Sequence, residues 1–161
     1  MVAEGRRPAS AVSLRGRALR LLARRDHSRA ELRRKLLSKE VDEAALDFLL
    51  DEFESKNLLS DWRFAEVLAQ SRGARYGVAS LSYTLAKQGV RPDLAAAALA
   101  PLTATERERA LALWRRRFGA PPVDRKARAR QHRFLLGRGF DAATVAWIFR
   151  QIGKAPVDDD C

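Results

Sequence analysis

The 161-residue sequence predicts an all-α fold of three tandem three-helix repeats, stacked as an elongated or curved helical array. Apolar residues recur at intervals of three and four positions, which is the period of one helix face, and not at intervals of two. The same pattern then returns twice, after 49 and 50 residues. Self-similarity at such a period is typical of helical repeats that complete their cores by stacking on neighbours. Alanine and leucine dominate the apolar residues, while valine, isoleucine and threonine are scarce, which favours helix over strand.

Repeat 1 is predicted over residues 14–57. Its first helix follows from an apolar stripe that starts at Leu14. Its second helix begins after Ser28, because Ser28 with Glu31 three positions later is typical of a capping box. Its third helix follows Asp42 and has a complete inner face. The inner face of that helix consists of Leu46, Leu49, Leu50 and Phe53.

Repeats 2 and 3 are predicted over residues 58–102 and 103–153. Repeat 2 begins at Ser60, and its third helix, rich in alanine, starts at Pro92 and ends near Leu99. Repeat 3 begins at Thr103, with Glu106 as the second half of a capping box. The repeats align on the turn between their second and third helices, at residues 40–42, 89–91 and 139–141. The aligned core positions are Leu36, Leu85 and Leu135, then Leu46, Ala95 and Val145, then Phe53, Leu102 and Ile152.

The two ends of the chain are expected to lie outside this array. Residues 1–13 are predicted to be a disordered arm and residues 154–161 an acidic disordered tail, which alternatively folds back on a basic repeat and weakens binding. The single cysteine, Cys161, and the longest apolar run, only seven residues against the ~20 needed to cross a bilayer, predict a cytoplasmic protein without a membrane segment. The pair Arg6 and Arg7 lacks the apolar stretch of an export signal.

The sequence offers little material for catalysis. No Cys or His spacing fits zinc, and no glycine-rich loop fits a phosphate-binding motif. His27 and His132 are interpreted as ordinary solvated side chains, and Trp114 as a core residue. We therefore expect a binding protein, not an enzyme, with no cofactor and no metal.

The net charge of +11 is concentrated at the two ends of the array. Residues 1–40 have twelve Lys/Arg against four Asp/Glu, and residues 105–155 have thirteen against four. Residues 41–104 have six against nine. Because basic patches attract polyanions, two clusters are predicted to bind a filament or nucleic acid. The repeat 1 cluster is Arg24, Arg25, Arg29, Arg33, Arg34 and Lys35, and the repeat 3 cluster is Arg115, Arg116, Arg117, Arg125, Lys126, Arg128, Arg130 and Arg133.

Several sequence runs together resemble RecX, the regulatory family that modulates the RecA recombinase. They are RDHSRAELRRKL at 25–36, LSDWRFA at 59–65 and FLLGRGF at 134–140, together with Arg72 and Gly77. The resemblance spans about residues 14–152. It implies three three-helix repeats and a protein that binds the RecA filament, contacts DNA, and usually restrains ATP hydrolysis, recombination and coprotease activity. The chain departs from the family pattern at Glu40, where glycine is common, and at Tyr76, where a basic residue is expected.

The resemblance and the charge pattern together suggest a division of labour among the repeats. The basic clusters of repeats 1 and 3 would engage the filament, while repeat 2 sets their separation. Contacts to single- and double-stranded DNA would be weak, nonspecific and salt-sensitive, and the protein a monomer.

Two other functions remain open from the sequence. An autonomous DNA-binding protein would need a recognition helix, for which only residues 126–133, with Gln131, come close. A nonspecific scaffold would organise other proteins through its repeat surface, and its partner affinity would not depend on salt.

Overall fold

The computed structural model describes residues 13–154, and this part of the chain is helical throughout, with short connections and no strand. The helices are Leu14–Arg24 (α1), Arg29–Leu36 (α2), Glu43–Ser55 (α3), Asp61–Arg72 (α4), Val78–Lys87 (α5), Pro92–Ala104 (α6), Glu106–Arg117 (α7), Arg125–Gly137 (α8) and Ala142–Ile152 (α9). Repeat 1 contains α1–α3, repeat 2 contains α4–α6 and repeat 3 contains α7–α9. The predicted all-α repeat fold is confirmed. The predicted arm, except Ser13, and the predicted tail from residue 155 onwards lie outside the described residues.

The chain divides into two compact units, Met1–Ser60 and Asp61–Cys161. The first unit contains repeat 1, whose three helices each begin at a side-chain cap. Ser13 accepts a hydrogen bond from the Gly16 N–H, Ser28 from the Glu31 N–H and Asp42 from the Ala45 N–H. Such caps satisfy backbone donors that a helix start leaves open, and each is worth about 1 kcal/mol. The core of repeat 1 consists of Ala18, Leu32, Leu36, Leu46, Leu49, Leu50, Phe53 and Leu59.

The second unit contains repeats 2 and 3, each with its own apolar core. In repeat 2 the core gathers around Leu81, Leu85 and Leu99, and in repeat 3 around Leu135 and Ile148. The aligned positions Leu36, Leu85 and Leu135 are all fully buried, and Leu46, Ala95 and Val145 are fully or almost fully buried. The register read from the sequence therefore identifies equivalent core positions in the three repeats at these two sets. At the third predicted set Phe53 is buried, whereas Leu102 and Ile152 are only partly buried against their cores.

The junction between α6 and α7 differs from the prediction. Helix α6 continues past Leu99 to Ala104 and includes Pro101, so the predicted start of repeat 3 at Thr103 falls inside a helix. Helix α7 begins at Glu106 after Thr105, without a side-chain cap. The predicted Thr103–Glu106 capping box is wrong, because the Glu106 carboxylate instead accepts the Val78 N–H at the start of α5, at 2.8 Å.

Repeats 2 and 3 meet through backbone at two glycines. Gly139 has a φ of 82°, and the backbone carbonyl oxygen of its neighbour Arg138 accepts the Gly77 N–H at 2.8 Å. A Cβ on Gly77 would overlap the Gly139 carbonyl, and a Cβ on Gly139 would overlap Ser80. Close approach of the two chain segments therefore requires glycine on both sides.

A partly buried arginine completes the same junction. Arg109 donates to the carbonyl oxygens of Gly73, Tyr76 at 2.9 Å and Leu102 at 2.8 Å. These carbonyls follow or end α4 and α6, where a helix leaves its last acceptors open. Burial lowers the pKa of Arg109, and Glu106 nearby opposes that shift. Arg109 therefore satisfies backbone acceptors of repeat 2 from a position in repeat 3.

Candidate functional site

Arginines of the repeat 1 cluster on α2 form ion pairs with carboxylates on α3. Arg29 Nη1 lies 2.7 Å from Asp51 Oδ1 and 2.5 Å from Glu54 Oε2. One turn further along α2, Arg33 lies 2.7 Å from Glu43 and 2.8 Å from Asp47. Residues four apart lie on the same helix face. The spacing of four residues between Arg29 and Arg33 on α2 therefore matches the spacing of four residues between their acidic partners on α3.

These pairs shift the pKa values of their members in the direction that favours charge. Hydrogen bonds with Asp47 and Glu43 raise the pKa of Arg33, and the Arg33 hydrogen bond lowers the pKa of Asp47. On the other side of α3, hydrogen bonds from Arg15 and Lys56 lower the pKa of Glu52 to about 2. Asp47 and Glu52 on α3 thus stay ionised and paired at neutral pH.

A second group of charges surrounds the buried Glu31 at the start of α2. Arg25 donates to both oxygens of Glu31, one at 3.0 Å, and Lys35 Nζ lies 3.2 Å from Oε1. Burial alone would raise the pKa of Glu31, but the hydrogen bonds from Arg25 and Lys35 outweigh it and the pKa is lowered. Lys35 Nζ also lies 3.3 Å from His27 Nε2.

His27 itself is not the solvated residue that the sequence suggested. It is 2% exposed, its Nδ1 lies 2.9 Å from the Arg25 carbonyl oxygen, and burial lowers its pKa. The prediction of a solvated His27 is therefore wrong. The other histidine, His132, is partly buried, with its ring 5.8 Å from that of Phe149.

The repeat 3 cluster has a different environment. All eight of its side chains are exposed, and within residues 13–154 none of them forms an ion pair with a carboxylate. Two guanidinium groups lie instead over aromatic rings, Arg117 at 5.3 Å from the centre of Phe118 and Arg128 at 5.0 Å from that of Phe149. Cation–π contacts orient the guanidinium without neutralising its charge.

Helix α8 presents three of its cations along one side. Asp124 caps the helix by accepting the Ala127 N–H at 2.6 Å. At 3.6 residues per turn, Lys126, Arg130 and Arg133 fall within about 60° of the helix circumference. The structure therefore brings these three predicted site residues together in one row, with Arg125 to one side of it and Arg128 on the opposite side of the helix, over the Phe149 ring.

Gln131, the residue that a base-reading helix would use, is not available on this surface. It is 4% exposed, and its side-chain oxygen accepts the Trp114 indole N–H at 2.9 Å. Trp114 is itself buried, so its prediction as a core residue is confirmed. The hydrogen bond satisfies the polar edge of a buried indole. The sequence interpretation of Gln131 as a candidate for direct readout is therefore wrong.

Further cations outside the two predicted clusters are exposed or partly exposed in the structure. Arg17 and Arg20 line a groove between α1 and α2, together with Arg24 and Lys35. In the second unit, Arg107 lies 5.8 Å from the Trp147 ring centre, and Arg138 lies 5.1 Å from the centres of Tyr76 and Phe134. Tyr76, which stands where the family pattern has a basic residue, thus still has the Arg138 guanidinium beside it. Helical spacing on α1, where Arg17, Arg20 and Arg24 share a face, was the signal that could have found the groove.

Neither a membrane-spanning helix nor a metal site is found in residues 13–154. No helix there is long and apolar enough to cross a bilayer. No group of three His, Cys, Asp or Glu side chains there is placed to hold a metal ion.

Two solved structures with the same fold are described as RecX. The crystal structure of RecX from Lactobacillus salivarius superimposes with a TM-score of 0.74, at 20% identity, and covers 87% of this chain and 94% of that one. A second structure, described as regulatory protein RecX, has a TM-score of 0.71 at 19% identity and covers 84% and 70%. At these identities the likeness shows the fold.

Sequence comparison shows the family. Residues 15–53 match the family model described as "RecX, first three-helix domain", and residues 105–147 match "RecX, third three-helix domain". The regulatory protein RecX of Ralstonia nicotianae is 46% identical over 94% of this chain and 95% of its own length. That of Leptothrix cholodnii is 45% identical over 86% and 88%, and that of Neisseria meningitidis 36% over 92% and 97%. With its three three-helix repeats and its matches along nearly the whole length of these relatives, the chain belongs to the RecX family of regulatory proteins.

Proposed function

We propose that this chain binds the RecA nucleoprotein filament in the cytoplasm, as a monomer, and restrains its ATP hydrolysis, recombination and coprotease activities. The RecA partner comes from the family to which the chain belongs. The effect would arise from binding and not from catalysis, since a protein that occupies the filament surface changes its activity without reacting.

The exposed cations of the repeat 3 cluster are the observation that supports this proposal most. A cation held in an ion pair must give up its carboxylate before it can bind another anion, which reduces the net gain. The eight cations of the repeat 3 cluster, across the described part of the chain, have no carboxylate to release. A filament on DNA presents both phosphates and protein carboxylates, so this surface is matched to it in charge.

DNA contact by this surface would be weak and nonspecific. Phosphate contacts fix position but read no sequence, and their affinity falls steeply with salt. With Gln131 held by Trp114, α8 presents Lys126, Arg130 and Arg133, which suit phosphates. We therefore place DNA contact, single- or double-stranded, as an accessory to filament binding and not as the function itself.

The repeat 1 cluster would contribute less. Arg29 and Arg33 are engaged by α3, and Arg25 and Lys35 by Glu31. The sequence left open which of the two clusters matters more, and these ion pairs support a division in which repeat 3 dominates.

Two neutralised variants of equal net charge test the proposal. Arg128→Gln with Arg130→Gln removes two exposed cations of repeat 3, and Arg29→Gln with Arg33→Gln removes two paired cations of repeat 1. Each protein is added to RecA on single-stranded DNA while ATP hydrolysis and strand exchange are followed. We expect the repeat 3 variant to need about tenfold more protein for half-maximal inhibition, since every cation that no longer binds a phosphate lowers the affinity. We expect the repeat 1 variant to inhibit like the wild type.

Two results would contradict the proposal. One is a wild-type protein that leaves RecA unaffected but binds one particular duplex tightly, as an autonomous DNA-binding protein would. The other is full inhibition by the folded repeat 3 variant, with circular dichroism as the check on folding.

A further inference from the structure

We infer that the groove between α1 and α2 binds the sugar–phosphate backbone of single-stranded nucleic acid. The groove has a volume of about 400 Å³ and is lined by Arg17, Arg20, Leu21, Arg24, Lys35 and Leu36. The inference deepens the proposed function and rests on it for the presence of nucleic acid at the filament. It assigns to repeat 1 a site that differs from the ion-paired surface of α2 and α3.

The three groove arginines share one face of α1. At 3.6 residues per turn, Arg17, Arg20 and Arg24 fall within about 60° of the helix circumference. All three are exposed, and within the described residues 13–154 none of them is in an ion pair. The same helix holds Arg15 on its opposite face, where it pairs with Glu52 at 2.8 Å and lies 5.4 Å from the centre of the Phe53 ring. Helix α1 thus separates a structural arginine from three that face outward.

The row of charge has the length of a short stretch of nucleic acid. A rise of about 1.5 Å per residue places Arg17 and Arg24 about 10 Å apart along the axis. A single strand that is stacked as in a duplex has a phosphate about every 3.4 Å, so the row spans about three phosphates of such a strand. Lys35 reaches the same groove from α2, although its ammonium also lies 3.2 Å from Glu31. A compact anion would contact only one of these cations, whereas successive phosphates of a nucleic-acid strand would contact all of them.

The apolar side chains in the groove favour nucleotides over a bare row of carboxylates. Leu21 and Leu36 line the groove beside the cations. A nucleotide presents a charged phosphate next to the C–H faces of its sugar and base, which matches a mixed apolar and cationic lining. The groove volume is also on the scale of sites that hold a small molecule. A single strand can place one nucleotide unit in it, while a duplex would meet only the rim.

Two triple variants of equal net charge test the site. Arg17→Gln, Arg20→Gln and Arg24→Gln together neutralise the groove, and Arg15→Gln, Arg29→Gln and Arg33→Gln together remove three paired cations. The full-length proteins are titrated with fluorescein-labelled oligothymidylate, and the anisotropy is followed between about 50 and 200 mM salt. We expect the groove variant to lose about 2 from the slope of log affinity against log salt, at ~0.7 per phosphate contact, and to bind about tenfold more weakly at the low-salt end. The control variant should keep the wild-type slope.

Equal losses in the two triple variants would overturn the inference, because net charge alone would then explain binding. If the control triple variant does not fold, Arg15→Gln against Arg17→Gln makes the same comparison with one charge each. A groove variant that binds oligothymidylate like the wild type but no longer inhibits RecA would also overturn it, in favour of an acidic protein surface. A wild type without effect on RecA whose oligothymidylate binding still depends on the groove would refute only the proposed function.

Discussion

Repeats 1 and 3 come from the two basic parts of the sequence, yet they present their charge differently. In repeat 1 the arginines of α2 face a helix rich in carboxylates, and Arg29 and Arg33 are both paired. In repeat 3 the equivalent helix, α9, contains no acidic residue between Ala142 and Ile152, and Arg117 and Arg128 lie over aromatic rings. The number of cationic residues in a segment therefore does not equal the number of cations that are available to a partner. The residues on the adjacent helix decide that number.

The ion pairs of repeat 1 affect the availability of its cations to a partner more than they affect the stability of the fold. Exposed ion pairs contribute little to stability, because water and salt screen them and the side chains lose freedom. The apolar core, by contrast, is equivalent in the two repeats. Stability and charge therefore vary independently between repeats of the same fold.

The largest expected effect tests whether the cores really are equivalent. Leu36→Ala and Leu135→Ala each remove a fully buried side chain at the same register position. We expect each to lower the free energy of unfolding by about 2–5 kcal/mol, because burial is reduced and a cavity is left behind. Urea denaturation followed by far-UV circular dichroism measures both.

The chain offers a neighbouring leucine as a control in each repeat. Leu37 and Leu136 are 39% and 40% exposed, and their alanine variants should each cost less than about 1 kcal/mol. A Leu36→Ala variant no less stable than Leu37→Ala, beside a strongly destabilised Leu135→Ala, would break the equivalence of the cores.

A middle-sized effect is expected from acid, and it should appear in repeat 1 first. The pKa values of Glu31, Asp47 and Glu52 are lowered, that of Glu52 to about 2. A lowered pKa in the folded state stabilises the fold above the ordinary pKa, and this contribution disappears as the pH falls through the folded value. We therefore expect repeat 1 to lose stability between about pH 4.5 and pH 2.

Two spectroscopic signals separate the repeats in that titration. Trp62, Trp114 and Trp147 all lie in the second unit, so tryptophan fluorescence follows that unit, while circular dichroism follows all helices. Helix content should start to fall at a higher pH than the fluorescence changes, and Glu52→Gln should reduce the gap. Coincident transitions in the wild type would show that the ion pairs of repeat 1 do not set its acid sensitivity.

The cores were predictable from the sequence because they follow from local periodicity. Leu36, Leu85 and Leu135 could be aligned without coordinates, since one apolar face per helix and a constant period are enough. The end of α6 was not predictable in the same way. The capping pattern at Thr103 indicated a break, but the helix continues through Pro101 to Ala104, and Glu106 accepts a backbone N–H of another repeat. Tertiary contacts outweighed a local signal there.

The smallest effect is expected from a variant that frees one cation of repeat 1 from its carboxylates, so that it resembles the cations of repeat 3. Glu43→Gln with Asp47→Asn removes both partners of Arg33 and should make its charge available. We expect the slope of log affinity for oligothymidylate against log salt to increase by about 0.7, the value of one additional phosphate contact.

A control of equal charge distinguishes release of Arg33 from a change in net charge. Glu40→Gln with Glu108→Gln removes two exposed carboxylates and raises the net charge by the same amount. Equal slopes of log affinity against log salt in the two double variants would mean that ion pairing does not prevent the cations of repeat 1 from binding phosphate.

The candidate surfaces were predictable only in part, because pairing between helices is not visible in one segment. Basic residues at 25, 29 and 33 and acidic residues at 43, 47 and 51 each recur every four positions. Two such ladders on consecutive helices are complementary, and that pattern could have indicated neutralisation in repeat 1. The hydrogen bond between Gln131 and Trp114 had no comparable signal, because it depends on how α7 and α8 pack.

The glycine contact between repeats 2 and 3 limits how such arrays can be recombined. Gly77 and Gly139 belong to different repeats, but neither tolerates an added carbon while the other segment is in place. Exchange of repeat 3 for a foreign repeat would therefore have to bring in a glycine at the position of Gly139 and face one at Gly77. In evolution or protein design, repeats 2 and 3 therefore have to be exchanged together, although the sequence divides them into two repeats.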